Sequence, residues 1–231
     1  MCGLFTAMTS WREAVALSKA LTDAATPRPD EQQDQQATYR VMGTLPVIVW
    51  DREPVVRRNV KMRWGFPHPK DWRRPQPIHA RSETIETTRA FAQAFQDGQR
   101  GIVLMKTFNE APDIEGPTIQ HTITPGDDKA LAAAFIWRRF ELPDIPVPLL
   151  ACVLVTVPAN QLIATLPTDR MPAFLGAEDW AKWLGEVDAT SEEIKACLKT
   201  VEGVRWTMTK VERAAKAKRQ KPTVSDPGGL F

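Results

Sequence analysis

The chain has 231 residues, with 30 Lys+Arg against 28 Asp+Glu and a formal net charge of +2. Hydrophobic residues make up 43% and charged residues 25%, a globular composition that excludes a wholly disordered chain. Bulk charge therefore names no partner, and 19 Pro with 12 Gly argue against a helix bundle.

In chain order, Cys2–Ala7 reads as a short strand. Ser10 and Glu13 form an S-x-x-E capping box, so a helix is expected there, with Trp11, Ala14, Val15 and Leu21 as its apolar face. Ala25–Ala37 is polar with two prolines and reads as a loop. Leu45–Trp50 is a buried strand. In Val56–Trp64 the positions alternate. Val56, Val60, Met62 and Trp64 share one face, interrupted by Arg58, while Arg57, Asn59, Lys61 and Arg63 share the other. Period two with a basic outer face predicts a strand with one face wet.

Phe66–Pro77 is so rich in proline that no regular structure is expected in it. Thr87 or Thr88 caps a short helix through Phe95, ended by Gly98. Gly101–Met105, Leu131–Trp137 and Leu149–Val157 read as strands. Ala177–Leu184 reads as an amphipathic helix stopped by Gly185, and Thr190 with Glu193 caps a helix through Lys199. Trp11, Trp180 and Trp183 fall in these helices as core residues. Strands and helices mix without a βαβ rhythm, which predicts an α+β fold. Residues 1–209 are expected to form one domain and residues 210–231 a basic tail. The run Lys210–Lys221 holds six Lys/Arg and one Glu, and reads as a solvated helix end, a frayed tail or a nucleic-acid contact.

The longest apolar stretch, Pro148–Pro158, is far short of the ~20 residues of a membrane helix. The opening MCGLFTAMTSW has neither a basic n-region nor a long h-region, so no signal peptide is expected. Three cysteines, Cys2, Cys152 and Cys197, suggest no disulfide framework and a reducing compartment. A soluble cytoplasmic protein is the expectation. His68, His79 and His121 show no paired spacing, and there is no C-x-x-C and no Gly-rich phosphate loop. No metal and no cofactor are therefore expected.

Four features can carry chemistry. If Met1 is removed, Cys2 presents an α-amine and a thiol on adjacent carbons. The amine attacks an aldehyde to form an imine, and the thiol then closes a five-membered thiazolidine; the bland alternative is a small buried cysteine near a chain end. Gly3 allows close backbone approach by a substrate. In Ile78–Thr84 (IHARSET), Arg81 either forks onto a phosphate or pairs with Glu83. Glu110, just past the strand Gly101–Met105 and flanked by apolar residues, is either a general acid/base or an ordinary loop glutamate. Trp72, among Lys70, Arg73 and Arg74, is either a base-stacking site or a packed loop tryptophan.

Taken in order, Met1–Phe5 (MCGLF), Tyr39–Gly43 (YRVMG), Trp64–Pro67 (WGFP), His79–Thr84 (HARSET), Thr107–Ala111 (TFNEA), Ala133–Trp137 (AAFIW) and Thr168–Pro172 (TDRMP) resemble the SRAP family. These are the SOS-response-associated peptidase-like proteins that process abasic sites. Members carry MCGRF, Y-N-[VIA]-A-P, W-G-[LYF]-x-P, N-A-R-x-E-T, G-[FWY]-x-E-W, F-A-G-L-W and H-x-R-M-P. The resemblance runs over residues 1–210. It implies an α+β fold with a bent, barrel-like, mostly antiparallel sheet, flanking helices and a basic single-strand groove. It also implies that Cys2 is the nucleophile that closes a thiazolidine with the ring-opened abasic sugar and that Glu110 is the catalytic glutamate. Arg81 and Arg89 would hold the DNA backbone, and Trp72 would lie near the DNA.

The departures are specific. Leu4 replaces the arginine of MCGRF, removing one phosphate contact. Arg40 stands in place of asparagine, Gly43 of proline and Ala111 of tryptophan. His79 replaces the asparagine of N-A-R, beside the bound sugar. Thr168 occupies the slot of the active-site histidine that assists ring opening and crosslink turnover. One slot loses an imidazole while another gains one, so His79 is expected to substitute in part for the lost histidine.

The expected function is an abasic-site sensor. Its partner is single-stranded DNA, held through Arg81, Arg89, Trp72, Arg40 and the basic strand Arg57–Arg63. Its site residues are Cys2, Glu110, His79 and Thr168. A monomer associated with the nucleoid through DNA is expected. A lyase or self-processing peptidase activity is a further implication of the family. The alternatives are a non-covalent single-stranded DNA-binding relative, favoured by Leu4 and Thr168, and a class II glutamine amidotransferase-like enzyme, whose R-G-P-D-like loop and H-N-G-like segment are missing.

Overall fold

The computed structural model describes residues 4–7, 21–22, 38–111, 119–126, 130–143, 145–203 and 205–211, the first two segments by their backbone alone. The expected helix at Ser10, the loop Ala25–Ala37, Cys2, Gly3 and nearly all of the basic tail lie outside the described residues. Among the described residues fifteen strands follow one another. They are β1 (Leu4–Ala7), β2 (Leu21–Thr22), β3 (Thr38–Arg40), β4 (Thr44–Arg52), β5 (Val55–Trp64), β6 (Pro67–His68), β7 (Asp71–Pro75) and β8 (His79–Arg81). After the short helix Ala92–Gln96 come β9 (Arg100–Glu110), β10 (Gln120–Thr124), β11 (Leu131–Leu142), β12 (Ile145–Pro158), β13 (Arg170–Pro172) and β14 (Phe174–Leu175). The helices Trp180–Leu184 and Ser191–Lys195 precede β15 (Thr207–Val211).

Five strands close into a barrel. The order β11–β12–β5–β4–β9 returns to its start because β9 also pairs with β11. Every neighbour in that ring is antiparallel except β12 with β5, which are parallel at Ala151↔Arg63 and Cys152↔Trp64. The apolar runs explain why these strands sit innermost. Ile102–Met105, Ala132–Ile136 and Ala151–Val155 are buried on both faces, as strands covered from both sides must be. Closure crowds one point. Gly101 is paired with Val49 on one side and Phe135 on the other, and an added Cβ would lie 2.5 Å from the Val47 side chain. Only glycine fits there without movement.

At the far end of the barrel β11 and β12 splay apart, and the segment 170–175 fills the gap. Thr156 pairs with Pro172, Ala132 pairs with Leu175, and Ala173 donates to Val155 and accepts from Ala134. Outside the barrel, β9 runs on past β11. Its second half is flanked by β1 on one side and by β10 then β15 on the other. The bent, mostly antiparallel barrel with a few short helices is the α+β architecture expected from the sequence.

Several local readings hold. Leu45–Trp50 lies inside β4, and the three later strand readings lie inside β9, β11 and β12. Gly185 ends the helix at Leu184 with φ +83°, and Thr190 with Glu193 forms the capping box.

Others are corrected. The Pro-rich stretch Phe66–Pro77 contains the two-stranded ribbon β6–β7, because Pro67 and Pro75 sit where a two-stranded ribbon needs no inward N–H. The helix expected from Thr87 or Thr88 begins only at Ala92, since the preceding residues form successive turns such as Thr88 N–H to Thr84 O at 2.9 Å. The helix after Thr190 ends at Lys195, not Lys199. Glu110 is not past its strand but is its last residue.

The basic face of β5 is not wet throughout. Asn59 and Arg63 are buried, and Arg57 is tied to Glu186 at 2.6 Å. Covering elements, invisible to period-two reasoning, close over that face.

Candidate functional site

The second half of β9 alternates Phe108, Asn109 and Glu110. Phe108 points to the core and packs against Phe174 at 5.4 Å and Trp206 at 5.7 Å between ring centroids. Glu110 shares that face one step further along the strand and is 0% exposed. A carboxylate is rarely fully buried unless it has a task or a partner. Among the described residues, then, the expected acid/base glutamate is the buried carboxylate of the molecule.

The strands beside it set the rest of the site. β1 pairs antiparallel with β9 so that Leu4 lies opposite Asn109 and Phe5 opposite Phe108. In the sequence, Cys2 stands two residues before Leu4. β3 pairs with the other side of β1 and sets Arg40, exposed, opposite Leu4. β10 sets His121 opposite Glu110.

The motif His79–Thr84 and the motif Thr168–Pro172 meet across β12. His79 pairs with Leu154 and Arg81 with Thr156, while Pro172 pairs with the same Thr156 from the other side. The join is an ion pair that the sequence reading did not find. Arg170 reaches Glu83 through two hydrogen bonds, Nη1 to Oε1 at 2.6 Å and Nη2 to Oε2 at 2.9 Å, and Nη2 also donates to Thr156 O at 2.6 Å. The Arg170 side chain is 7% exposed and that of Glu83 is 48% exposed. Hydrogen bonds from Arg170 hold the Glu83 carboxyl below its usual range. Glu83 therefore pairs with Arg170, not with Arg81 as the sequence-local alternative had it. Arg81 is exposed and makes no ion pair among the described residues, and the same holds for Arg89.

The hairpin β6–β7 carries Trp72. The indole is half-buried, with the Arg73 guanidinium 5.1 Å from the ring centroid. Arg63 lies beneath, its Nη1 donating to Trp72 O at 2.8 Å and its Nε to Gly65 O at 3.2 Å. Burial lowers the Arg63 pKa. Its guanidinium is thus engaged by backbone and braces the hairpin. Gly65, at φ +110°, makes the turn into this hairpin, and an added Cβ would lie 2.6 Å from Pro75.

Thr168 is half-buried and its hydroxyl donates to Arg170 O at 3.4 Å. It offers no titratable group at that point. The sequence reading also missed Asn160. Its side chain donates to Val201 O at 2.8 Å and accepts from Ile163 N–H at 2.9 Å, fixing the path from β12 toward β15.

The other two cysteines are poor nucleophiles. Cys152 is buried in the barrel, and burial pushes its thiol far up. Cys197 is also buried, with burial again the main cause of its raised pKa. Among the described residues no cluster of three or more His, Cys, Asp or Glu could hold a metal ion. No helix among them is long and apolar enough to cross a membrane.

Comparison with solved structures agrees with the architecture. A protein from Bacteroides thetaiotaomicron matches with a TM-score of 0.76 at 20% identity, over 91% of this chain and 92% of that one. A protein from Bordetella bronchiseptica matches with a TM-score of 0.73 at 18% identity, over 92% of this chain and 100% of the other. A phage-related protein from the same organism matches at 0.61 and 18% identity, over 92% and 95%. No curated protein matches the chain. The family model of the SOS response associated peptidase (SRAP) matches residues 1–217, and with nearly its whole length covered the chain belongs to that family.

Proposed function

We propose that this SRAP protein is an abasic-site sensor that traps the ring-opened sugar in single-stranded DNA as a thiazolidine on Cys2, after removal of Met1. The observation that carries the reading is the pairing of β1 with the site half of β9. It brings the N-terminal strand alongside a fully buried carboxylate. The inert setting of Cys152 and Cys197 supports Cys2 as the thiol in use.

The α-amine, with an ordinary pKa near 7.7–8.0, is largely an ammonium at neutral pH. Glu110 takes its proton, and the freed amine adds to the C1′ aldehyde. Glu110 returns the proton to the carbinolamine hydroxyl, which leaves as water and creates the iminium. The thiol then gives its proton to Glu110 while sulfur bonds to C1′, closing the ring. The sum is ammonium, thiol and aldehyde giving thiazolidine, one water and one proton. A well-placed acid/base of this kind is worth about 10²–10⁴ in rate.

Exposed Arg81, Arg89 and Arg40 are proposed to take backbone phosphates, with Trp72 stacking a base and Arg63 acting only by bracing the hairpin. His79, on the strand paired to β12, is proposed to stand beside the sugar and to cover part of the role that Thr168 lacks. Protecting the lesion from strand cleavage is the expected consequence. The test is a denaturing-gel assay with a single-stranded oligonucleotide carrying one abasic site, beside the undamaged strand. A denaturation-resistant complex with the abasic strand alone supports the proposal. Salt-sensitive binding to both strands without a covalent species would favour the non-covalent alternative instead. His79→Ala should slow formation or release of the adduct, and unchanged rates would remove His79 from the mechanism.

A further inference from the structure

The reaction proposed above, on which this inference rests, leaves one proton behind on a carboxylate that has no direct contact with water. Glu110 ends the sequence of transfers protonated, and it is fully buried. While that proton stays on Glu110 it can return to sulfur and reopen the ring, so net adduct formation depends on a route by which it reaches solvent. The sheet register supplies one. β10 pairs with β9 so that His121 lies directly opposite Glu110, and β15 pairs with β10 so that Lys210 lies directly opposite His121. Residues directly opposite one another in an antiparallel pair project from the same face, with Cβ atoms about 4.5–5.5 Å apart.

The three side chains therefore form one lateral row across three strands. Burial falls along it, from Glu110 in the interior through half-buried His121 to exposed Lys210. The next row inward, Phe108, Ile123 and Met208, is apolar, and Phe108 and Ile123 are fully buried. The polar row thus lies on the rim of the core, where a hydrophobic row would otherwise continue. The imidazole has a second anomaly. Its Nδ1 is buried and has no hydrogen-bond partner among the described residues, which a purely structural histidine would avoid.

We propose that His121 is a positioning residue that acts through Glu110, carrying the proton between its carboxyl group and solvent at the Lys210 end of the row. Side chains directly opposite on neighbouring strands are close enough for an imidazole and a carboxylate to exchange a proton through one water. The His121 imidazole accepts the Glu110 proton on one ring nitrogen and releases a proton from the other. It resets the carboxylate without itself touching the sugar. His79 lies on β8, which pairs with β12, whereas His121 lies on a strand paired with β9 itself. The two imidazoles thus serve different points, one at the sugar and one at the carboxylate.

The test uses the full chain and abasic single-stranded DNA, following adduct formation over time by intact mass in a buffer without imidazole. Wild type, His121→Gln and His121→Ala are compared, each checked for folding by thermal unfolding. The expected result is a rate about 10–100-fold lower in both variants, with the same final yield of adduct. Added free imidazole should restore the rate of His121→Ala and leave wild type unchanged. Unchanged rates in the variants would overturn the proposal while leaving the sensor function in place. Slow rates in both variants that imidazole does not restore would overturn it too, and would make His121 a packing residue. Absence of adduct with wild type would instead remove the sensor reading on which the proposal stands.

Discussion

One strand, β9, contains two regions with opposite demands. From Arg100 to Met105 it is barrel wall, gripped by β4 on one side and β11 on the other, and its residues from Ile102 to Met105 are apolar and buried. From Thr107 to Glu110 it leaves the barrel and takes β1 and β10 as neighbours, and its interior face ends in a carboxylate. The first half spends its packing on stability. The second uses that rigid wall to hold a charge where packing alone would not put one. A site built on a continuous strand is held more firmly than one on a loop, which is why finding Glu110 inside the strand matters for its proposed role.

The sharpest way to break the comparison is a pair of substitutions, one in each half. Ile102→Ala, in the wall, should cost about 2–5 kcal/mol in denaturant unfolding and leave the adduct rate of the folded protein unchanged. Glu110→Gln, in the site half, should lower the rate of adduct formation about 10²–10⁴-fold while shifting the unfolding midpoint less than Ile102→Ala does. If both substitutions acted alike on stability and rate, the division of β9 would be wrong.

A smaller effect is expected at the point of closure. Gly101→Ala places a methyl against Val47 and within 3.1 Å of Ile48 O, and should cost about 1–3 kcal/mol by thermal unfolding.

The join between the two motifs beside the site is sensitive to acid. Arg170 lowers the folded-state pKa of Glu83 below its ordinary value of 4.5. The resulting stability is therefore fully present above that ordinary value and is lost as the pH falls through the lower folded value. Glu83→Gln should cost about 1–2 kcal/mol at neutral pH, less than a fully buried pair because the carboxylate is half exposed. Its stability curve should converge on that of wild type under acid conditions, and parallel curves at all pH values would sink this assignment.

The smallest effect is a control. Thr190→Ala removes the capping box of a helix away from the site, and should cost about 1 kcal/mol with no change in adduct rate.

Much of this was legible before any fold was seen, and for physical reasons. The apolar runs at Ile102–Met105 and Ala151–Val155 announce strands because nothing polar interrupts them. Thr190 with Glu193, and Gly185, announce helix ends because capping is local chemistry. What stayed hidden depends on distant neighbours. Arg63 reads as a wet-face cation until the β6–β7 hairpin is seen to lie over it. Glu83 reads as a partner for nearby Arg81, yet its partner is Arg170, brought in from the other side of β12. His121 reads only as a histidine without metal spacing, because its proposed role rests on a register, Glu110 to His121 to Lys210, that no spacing within one strand encodes.

The proposed function turns on the condensation of Cys2 with an abasic aldehyde beside Glu110. Its most direct test is intact-protein mass spectrometry after mixing the protein, shown by mass to have lost Met1, with a single-stranded oligonucleotide carrying one abasic site. The condensation gives a species at the summed masses less one water, absent with undamaged DNA and absent with Cys2→Ala. An unchanged protein mass, or an adduct that persists in Cys2→Ala, would contradict it.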